Sequence, residues 1–172
     1  STARSRRSTL SCYSRKLHVR FYKDERQSTL LEGIAYAFET FEGATLRAVV
    51  DNMATAVLGR IGADGKPLWN PRFLEFTHHY GCEPFACKVR DADRKGKKEK
   101  SFRLLEDDFL RGSEFASWED LNERVRVWLD ETPAVGNRRV HGTTRLVPNE
   151  VWLSERDFLD KLPEKRFAVR RE

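Results

Sequence analysis

The sequence has few of the residues that mark secreted or membrane proteins. Its 172 residues include three cysteines, six prolines and one methionine, and they contain no long apolar run and no signal-like start. An odd cysteine count argues against a disulfide framework, and a membrane-spanning helix needs an apolar stretch of about 20 residues. We therefore expect a cytoplasmic protein with no membrane partner.

The composition is that of a folded, basic chain. Hydrophobic residues make up 39% and aromatic residues 11%, which is enough for one domain with a core. The 32 basic and 27 acidic residues give a net charge of +5 and a sequence pI near 9.2. A basic balance of this kind favours nucleic acid as a partner.

Hydrophobic periodicity predicts an α/β protein. A hairpin-like pair of strands around Ser14 is expected first, because apolar residues alternate from Leu17 to Phe21. A helix capped by Ser28 follows, and then a strand over 46–50. Two antiparallel strands before an alternation of helices and strands favour a mixed sheet with helices on its faces.

The second half of the sequence continues this pattern. We predict a short helix over 53–58, an exposed loop over 59–70, a helix starting at Asn70-Pro71, a strand over 83–89 and a helix over 95–110. Ser117 begins another helix, and the last helix covers 148–159. The expected organisation is a flexible basic arm over residues 1–9, a core domain over 10–131, and a linker, helix and basic tail over 132–172.

Two acidic residues on different elements suggest a metal site. Asp51 follows the apolar run Leu46–Val50 at the end of a predicted strand, and Glu99 lies on the first turn of a predicted helix. Carboxylates placed in this way can converge on a divalent cation. Two other interpretations stay open: Asp51 as an Asx turn, and Glu99 as a partner of Lys95 and Arg103 on a helix surface.

Basic residues surround Glu99 and recur later in the chain. Such cations beside a metal site suit contact with a phosphate backbone, although a solvated helix face would have the same composition. The candidate DNA-binding residues are Lys95, Lys97, Lys98, Lys100, Arg103, Arg138 and Arg139.

A zinc site is the weaker alternative for another group of residues. His78, His79, Cys82 and Cys87 are close in sequence, but their spacing matches no standard zinc finger. We interpret Cys87 as a small core residue.

Several motifs in order resemble the integrase core of IstA-type insertion-sequence transposases, which are DDE enzymes with a ribonuclease-H-like fold. The resemblance covers roughly residues 10 to 160. Its motifs are Asp51-Asn52-Met53, Thr55-Ala56-Val57, Asn70-Pro71-Arg72-Phe73 and Lys95-Gly96-Lys97-Lys98-Glu99, with Tyr13-Ser14-Arg15 before them and Asn137, His141, Thr143, Thr144 and Pro148 after them.

The resemblance implies metal-dependent cleavage and transfer of DNA strands during transposition. Asp51 then matches the second aspartate of the family and Glu99 its final glutamate, both as ligands of Mg²⁺ or Mn²⁺. The implied partners are the DNA of the element ends and the target, an IstB-type helper ATPase, and further copies of the chain.

One family feature is missing from these 172 residues. The family's first aspartate lies on a first strand ahead of Tyr13, whereas the earliest acidic residue here is Asp24, in a predicted turn. We therefore expect an incomplete or inactive copy that lacks the first strand. Two alternatives are a non-catalytic remnant that binds DNA or transposase, and a nuclease that takes a third ligand from Asp91, Asp93 or Glu106.

Overall fold

The structure, a computed structural model, describes residues 5–10 (backbone only), 13–50, 53–87, 103 and 105–169. A π-helical turn covers Glu106–Leu110, and 3-10 turns cover Gly136–Arg138 and Arg156–Phe158. The strands are β1 (Ser5–Leu10), β2 (Leu17–Tyr22), β3 (Arg47–Val50), β4 (Val57–Ile61), β5 (Lys66–Trp69) and β6 (Glu83–Ala86), and the helices are α1 (Gln27–Thr40), α2 (Pro71–His79), α3 (Trp118–Asp130) and α4 (Pro148–Glu155).

The strands form antiparallel and parallel pairs. β1 pairs antiparallel with β2, and Leu10 lies opposite Leu17. β3 pairs parallel with β6, and Val50 lies opposite Ala86. β4 pairs antiparallel with β5. The predicted mixture of strand directions is confirmed, but in the described part of the chain it takes the form of three two-stranded sheets and not of one continuous sheet.

β2 separates two helical layers, because its side chains alternate between the two faces of the strand. Val19 and Phe21 are buried against residues of α3 and the π-helical turn. On the opposite face, His18 Nδ1 lies 3.1 Å from the Thr40 hydroxyl of α1, and the Arg20 guanidinium lies 3.8 Å from the centre of the Tyr36 ring. The predicted alternation of this strand is confirmed.

Core one, as we call it, lies between α1, α2 and β3. Phe76 has no exposed surface, and its ring lies 4.8 Å from Tyr80 and 6.4 Å from Phe38 between ring centres. The predicted apolar stripe of α1 supplies four of its buried members, Leu30, Leu31, Ala35 and Phe38. The buried members of core one are Leu30, Leu31, Ala35, Phe38, Ala44, Ala48, Val50, Ala56, Val57, Phe73, Phe76, Tyr80 and Cys82.

The C-terminal segment 160–169 packs on core one. Asp160 forms a β-bridge with Ala44, and the Phe167 ring lies 5.4 Å from the Phe76 ring. The Arg72 guanidinium donates a hydrogen bond of 2.7 Å to the Ala168 carbonyl oxygen. The expected basic tail is therefore, over these residues, a strap held against α1 and α2.

Core two lies between β2, the π-helical turn and α3. Ser117 begins α3 as predicted, and its hydroxyl accepts a hydrogen bond of 3.1 Å from the Asp120 amide. The apolar face of α3 then points inward, with Val125 fully buried. The buried members of core two are Val19, Phe21, Leu105, Phe109, Leu121, Val125 and Leu129.

Two predictions for the N-terminal half are wrong. Residues 5–9 of the expected flexible arm belong to strand β1, because β2 offers them a complete antiparallel register. The expected helix over 53–58 and loop over 59–70 are instead a turn followed by the β4–β5 hairpin. Gly62 and Gly65 adopt φ of +73° and +60° in its turn, a backbone conformation that glycine adopts without steric penalty.

The start of α1 also differs from the prediction. The helix begins at Gln27, with Arg26 at the N-cap position and no side-chain cap from that residue. The Asp24 carboxylate accepts hydrogen bonds from the Arg26 amide, at 3.1 Å, and from the Thr29 hydroxyl. A carboxylate three residues ahead of the helix thus replaces the predicted Ser28 cap.

Candidate metal and nucleic-acid site

The two candidate metal ligands lie just beyond described segments. Asp51 and Glu99 are outside the described residues, as are Lys95, Lys97, Lys98 and Lys100. The strand leading to Asp51 is described, and it ends beside the end of β6. The Cys87 amide donates a hydrogen bond of 3.0 Å to the Val50 carbonyl oxygen, which extends the parallel ladder to the last described residue before Asp51.

The segment that follows Asp51 is tied back to the core. The amides of Ala56 and Val57 donate to the Met53 carbonyl oxygen at 2.9 and 2.8 Å. The side-chain amide of Gln27, on the first turn of α1, donates to the Thr55 carbonyl oxygen at 2.9 Å. The backbone on both sides of Asp51 is therefore held by hydrogen bonds.

Arg60 is a cation at this edge that sequence reasoning missed. Its guanidinium donates 2.8 Å hydrogen bonds to the carbonyl oxygens of Gly65 and Cys87, and so joins the hairpin to the end of β6. The prediction failed because residues 59–70 were interpreted as a loop. Two glycines between short apolar runs were the available hairpin signal.

The alternative third ligands receive no support from the described residues. Asp24 is engaged at the start of α1, as expected for a residue outside the site. Glu106 is exposed on the first residue of the π-helical turn, and Asp91 and Asp93 are outside the described residues. Across the described ranges, no group of three or more His, Cys, Asp or Glu residues could hold a metal ion.

The same result bears on the zinc alternative. Cys82 is buried in core one, and burial raises the pKa of its thiol to about 11. His79 Nε2 lies 2.8 Å from the Lys165 carbonyl oxygen of the C-terminal strap. These side chains serve packing and strap contacts, and zinc is not supported.

The three described DNA-binding candidates are all exposed. Arg103 lies in helical backbone ahead of the π-helical turn. Arg138, in a 3-10 turn, donates a hydrogen bond of 2.9 Å to the Glu131 carbonyl oxygen, and Arg139 follows it. The two latter arginines are separated in sequence from the Glu99 region, and their positions are set by the neighbouring Asn137.

Asn137 belongs to a buried polar network that joins the start of β2 to the end of α3 and to α4. Its side-chain oxygen accepts from the Leu17 amide at 2.7 Å and its side-chain nitrogen donates to the Leu17 carbonyl oxygen at 2.8 Å, as a neighbouring strand would do. The ammonium of Lys16 lies 3.0 Å from Asp130 Oδ1 and 2.6 Å from Asn149 Oδ1. Asn137 donates to the same Asp130 oxygen at 2.9 Å.

A compact turn follows this network. The amides of Thr143 and Thr144 each donate to His141 Nδ1 at 3.3 Å, and the Arg145 amide donates to the His141 carbonyl oxygen at 2.8 Å. An accepting Nδ1 leaves the proton of the neutral ring on Nε2. Burial and the positive charge of Arg15 lower the pKa of His141 below its usual value.

Comparison with solved structures identifies the class of fold. A chain in the cryo-EM structure of the simian T-cell lymphotropic virus intasome, solved with the PP2A regulatory subunit B56 gamma, superposes with a TM-score of 0.57. The match covers 98% of this chain and 54% of that chain at 11% identity. The fold is thus a mixed α/β fold of the kind found in that assembly.

Sequence comparison identifies the relatives. The chain is 36% identical over 155 residues to a protein of insertion sequence element IS5376 from Geobacillus stearothermophilus, and 30% identical over 156 residues to the transposase of IS21 from Pseudomonas aeruginosa. Each match covers 90% of this chain. A transposase of an IS21-like element from Bacteroides fragilis is 33% identical over 127 residues, which cover 72% of this chain and 23% of the relative.

The chain is therefore a homologue of IS21-type insertion-sequence transposases, and the expected relationship is confirmed. It spans 37% and 39% of the lengths of the first two relatives. No family model matches the chain. Among the described residues, no helix is long and apolar enough to cross a membrane.

Proposed function

We propose that the chain is part of the catalytic core of a DNA transposase with a ribonuclease-H-like fold. The observation that carries the proposal is the sequence relationship to IS21-type transposases over nine-tenths of the chain. The strand pairing supports it as well. A ribonuclease-H-like sheet has an antiparallel pair of strands on one side of its first strand and a parallel pair on the other side. The antiparallel β1–β2 pair and the parallel β3–β6 pair match these two pairings.

In this proposal Asp51 and Glu99 hold a divalent cation, Mg²⁺ or Mn²⁺. Their carboxylate oxygens are of the ligand type that these hard cations take, and Asp51 directly follows the paired ends of β3 and β6. A bound cation of this kind lowers the pKa of its water and stabilises the leaving oxygen of a phosphodiester. The chain's own part is to hold the two carboxylates in place at that edge.

The basic residues serve the DNA in this proposal. Lys95, Lys97, Lys98, Lys100 and Arg103 would contact phosphates beside the metal site, and Arg138 and Arg139 would contact them from the 3-10 turn. The complete transposase would act as a homo-oligomer with an IstB-type helper ATPase. These partners follow from the relationship to the family and not from a contact in the chain.

Calorimetric titration of Mg²⁺ and Mn²⁺ into the 172-residue chain tests the metal site. We expect a binding signal that is lost in Asp51→Asn and also in Glu99→Gln, because removing either ligand leaves one carboxylate. Asp24→Asn is the matched control, since asparagine keeps the oxygen that accepts at the start of α1. If the Asp51→Asn and Glu99→Gln variants bound the cation as tightly as the wild-type chain does, the proposed site would be contradicted.

Strand cleavage and transfer on labelled element-end DNA separates the remaining alternatives. We expect little or no Mg²⁺-dependent strand transfer from this polypeptide alone, because it supplies two of the family's three carboxylates. Cleavage that Asp51→Asn abolishes would instead identify a nuclease with a third ligand of its own. DNA binding without cleavage, unchanged in Asp51→Asn, would favour the non-catalytic remnant.

A further inference from the structure

Several arginines that make no ion pair among the described residues lie in one region of the molecule, although Arg20 and Arg103 elsewhere also make none. Most described arginines elsewhere are ion-paired, as in Arg47–Glu83 at 2.9 Å and Arg126–Glu123 at 2.7 Å. Within the described residues, no ion pair involves Arg15, Arg139 or Arg145. We call the set Arg15, Arg138, Arg139, His141 and Arg145 the basic surface.

Two of these arginines adopt a backbone conformation that disfavours them. Arg15 has φ of +63° and Arg145 has φ of +59°, in the left-handed region where a Cβ clashes with the neighbouring carbonyl group. Glycine or asparagine would form either turn with less strain. Glu42 and Ala134 share this conformation, so the strain by itself assigns no role. It fixes the turn from which each arginine side chain leaves the backbone.

The structure brings the parts of the basic surface together and holds them. The Asn137–Leu17 hydrogen bonds place the hairpin turn that carries Arg15 beside the 3-10 turn of Arg138. The Ser14 amide donates to the Glu155 carboxylate at 3.1 Å, which ties the same hairpin turn to α4. Arg15 is close enough to His141 to lower its pKa. The backbone turns that carry these residues are thus held in place before any partner binds.

We propose that the basic surface is a docking site for the phosphate backbone of DNA, centred on Arg15 and Arg145. It deepens the proposed function and rests on it, since it adds two arginines to Arg138 and Arg139. Guanidinium groups pair with phosphate oxygens in a bidentate manner, and contacts of this kind are independent of base sequence. The chain's net charge of +5 favours a polyanion over an acidic protein of limited charge.

The test is the salt dependence of duplex DNA binding by the double variant Arg15→Gly/Arg145→Gly. The probe is a fluorescently labelled duplex of about 30 base pairs and arbitrary sequence, with EDTA present so that the metal site does not contribute. Each lost phosphate contact should reduce the slope of log affinity against log salt by roughly one. We therefore expect a slope shallower by about two and weaker binding at every salt concentration.

The substitutions are chosen so that the fold is kept. Glycine relieves the left-handed strain at both turns, so the thermal midpoint of the double variant should be unchanged or higher. Ala134→Gly is the backbone control, because Ala134 also has a positive φ, of +58°, and carries no charge. Arg47→Gln is the charge control, because it removes a cation that is paired with Glu83. Both controls should bind DNA with the wild-type slope.

Three results would overturn the proposal. The first is an unchanged slope in the double variant, and the second is an equal loss in Arg47→Gln, which would indicate only the loss of net charge. The third is arginine-dependent binding of polyglutamate with no binding of DNA, which would identify an acidic protein as the partner. Because EDTA removes divalent cations, the DNA-binding result does not depend on the metal site. It can be interpreted even if the calorimetric titration detects no metal binding.

Discussion

The two cores of the molecule are stabilised in different ways. Core one is rich in aromatic side chains, with Phe76 contacting Phe38, Tyr80 and the strap residue Phe167. Core two also contains aromatic side chains, since Phe109 contacts Phe115 and Trp128. It differs from core one in the polar network of Lys16, Asp130, Asn137 and Asn149, which adjoins it at the start of β2 and the end of α3.

The difference follows from what each core supports. Core one includes Ala48 and Val50 of β3 and so positions the strand that leads to Asp51. The network beside core two holds the turns from which the basic surface projects. Apolar packing is non-directional, whereas hydrogen bonds have a fixed geometry. The strand before Asp51 is thus held by apolar packing in core one together with backbone hydrogen bonds, whereas side-chain hydrogen bonds hold the turns of the basic surface.

The largest effect is expected from emptying core one. Phe76→Ala removes a fully buried ring and should lower the free energy of unfolding by about 3–5 kcal/mol. Urea denaturation followed by circular dichroism measures it. Leu74→Ala on the same helix is the control, because Leu74 is 41% exposed. Similar losses in both variants would mean that core one does not carry the stability assigned to it.

Breaking the network should come next. Lys16→Met leaves the Asp130 carboxylate partly buried without its cation and should lower the free energy of unfolding by about 3 kcal/mol. The double variant Lys16→Met/Asp130→Leu should recover part of this loss, because it leaves no unpaired charge. The single variant Asp130→Leu completes the comparison. If the double variant lost more free energy of unfolding than Lys16→Met and Asp130→Leu lose together, the two side chains would not act as a buried pair.

Acid should weaken the side of β2 that faces α1. Burial, with the charge of Arg20, lowers the pKa of His18 to about 4. In the unfolded chain the pKa of a histidine is about 6.5. Between these values the unfolded chain binds more protons, so the stability contributed by neutral His18 is complete above about pH 6.5 and is lost as the pH falls to about 4. The expected loss is about 2–3 kcal/mol.

Denaturation midpoints between pH 7 and pH 4 measure this effect. His18→Gln should flatten the profile in that window, because glutamine does not titrate. His78→Gln, at an exposed position on α2, should leave the profile as it is in the wild type. A profile that is equally steep in His18→Gln would assign the acid sensitivity to other groups.

The smallest effect should be equal in the two regions. Asn70 caps α2 by accepting from the Arg72 amide at 3.0 Å, and Ser117 caps α3 by accepting from the Asp120 amide at 3.1 Å. Asn70→Ala and Ser117→Ala should each lower the free energy of unfolding by about 1 kcal/mol. If one variant lost clearly more free energy of unfolding than the other, the helix caps as well as the cores would differ in their contribution to stability.

Sequence reasoning succeeded for several local signals, although the predicted Ser28 cap of α1 was wrong. The caps at Asn70 and Ser117, the alternation along β2 and the apolar stripe of α1 are all set by neighbours within a few residues. It failed for the β4–β5 hairpin, whose exposed glycines resemble a loop until Val57 and Ala56 are seen to join core one. For the candidate site, sequence motifs named Asp51 and Glu99, but they could not reveal Arg60, whose hydrogen bond to the distant Cys87 carbonyl oxygen forms only in the folded chain.

The sequence by itself determined the class of the protein and the ordered motifs that relate it to the transposases, since these depend only on residue identity and order. Tertiary structure decided which strands pair, how the strap of residues 160–169 closes core one, and which arginines keep their charge unpaired. The physical reason is separation along the chain. Lys16 meets Asp130, and Leu17 meets Asn137, only after the chain between them has folded around β2.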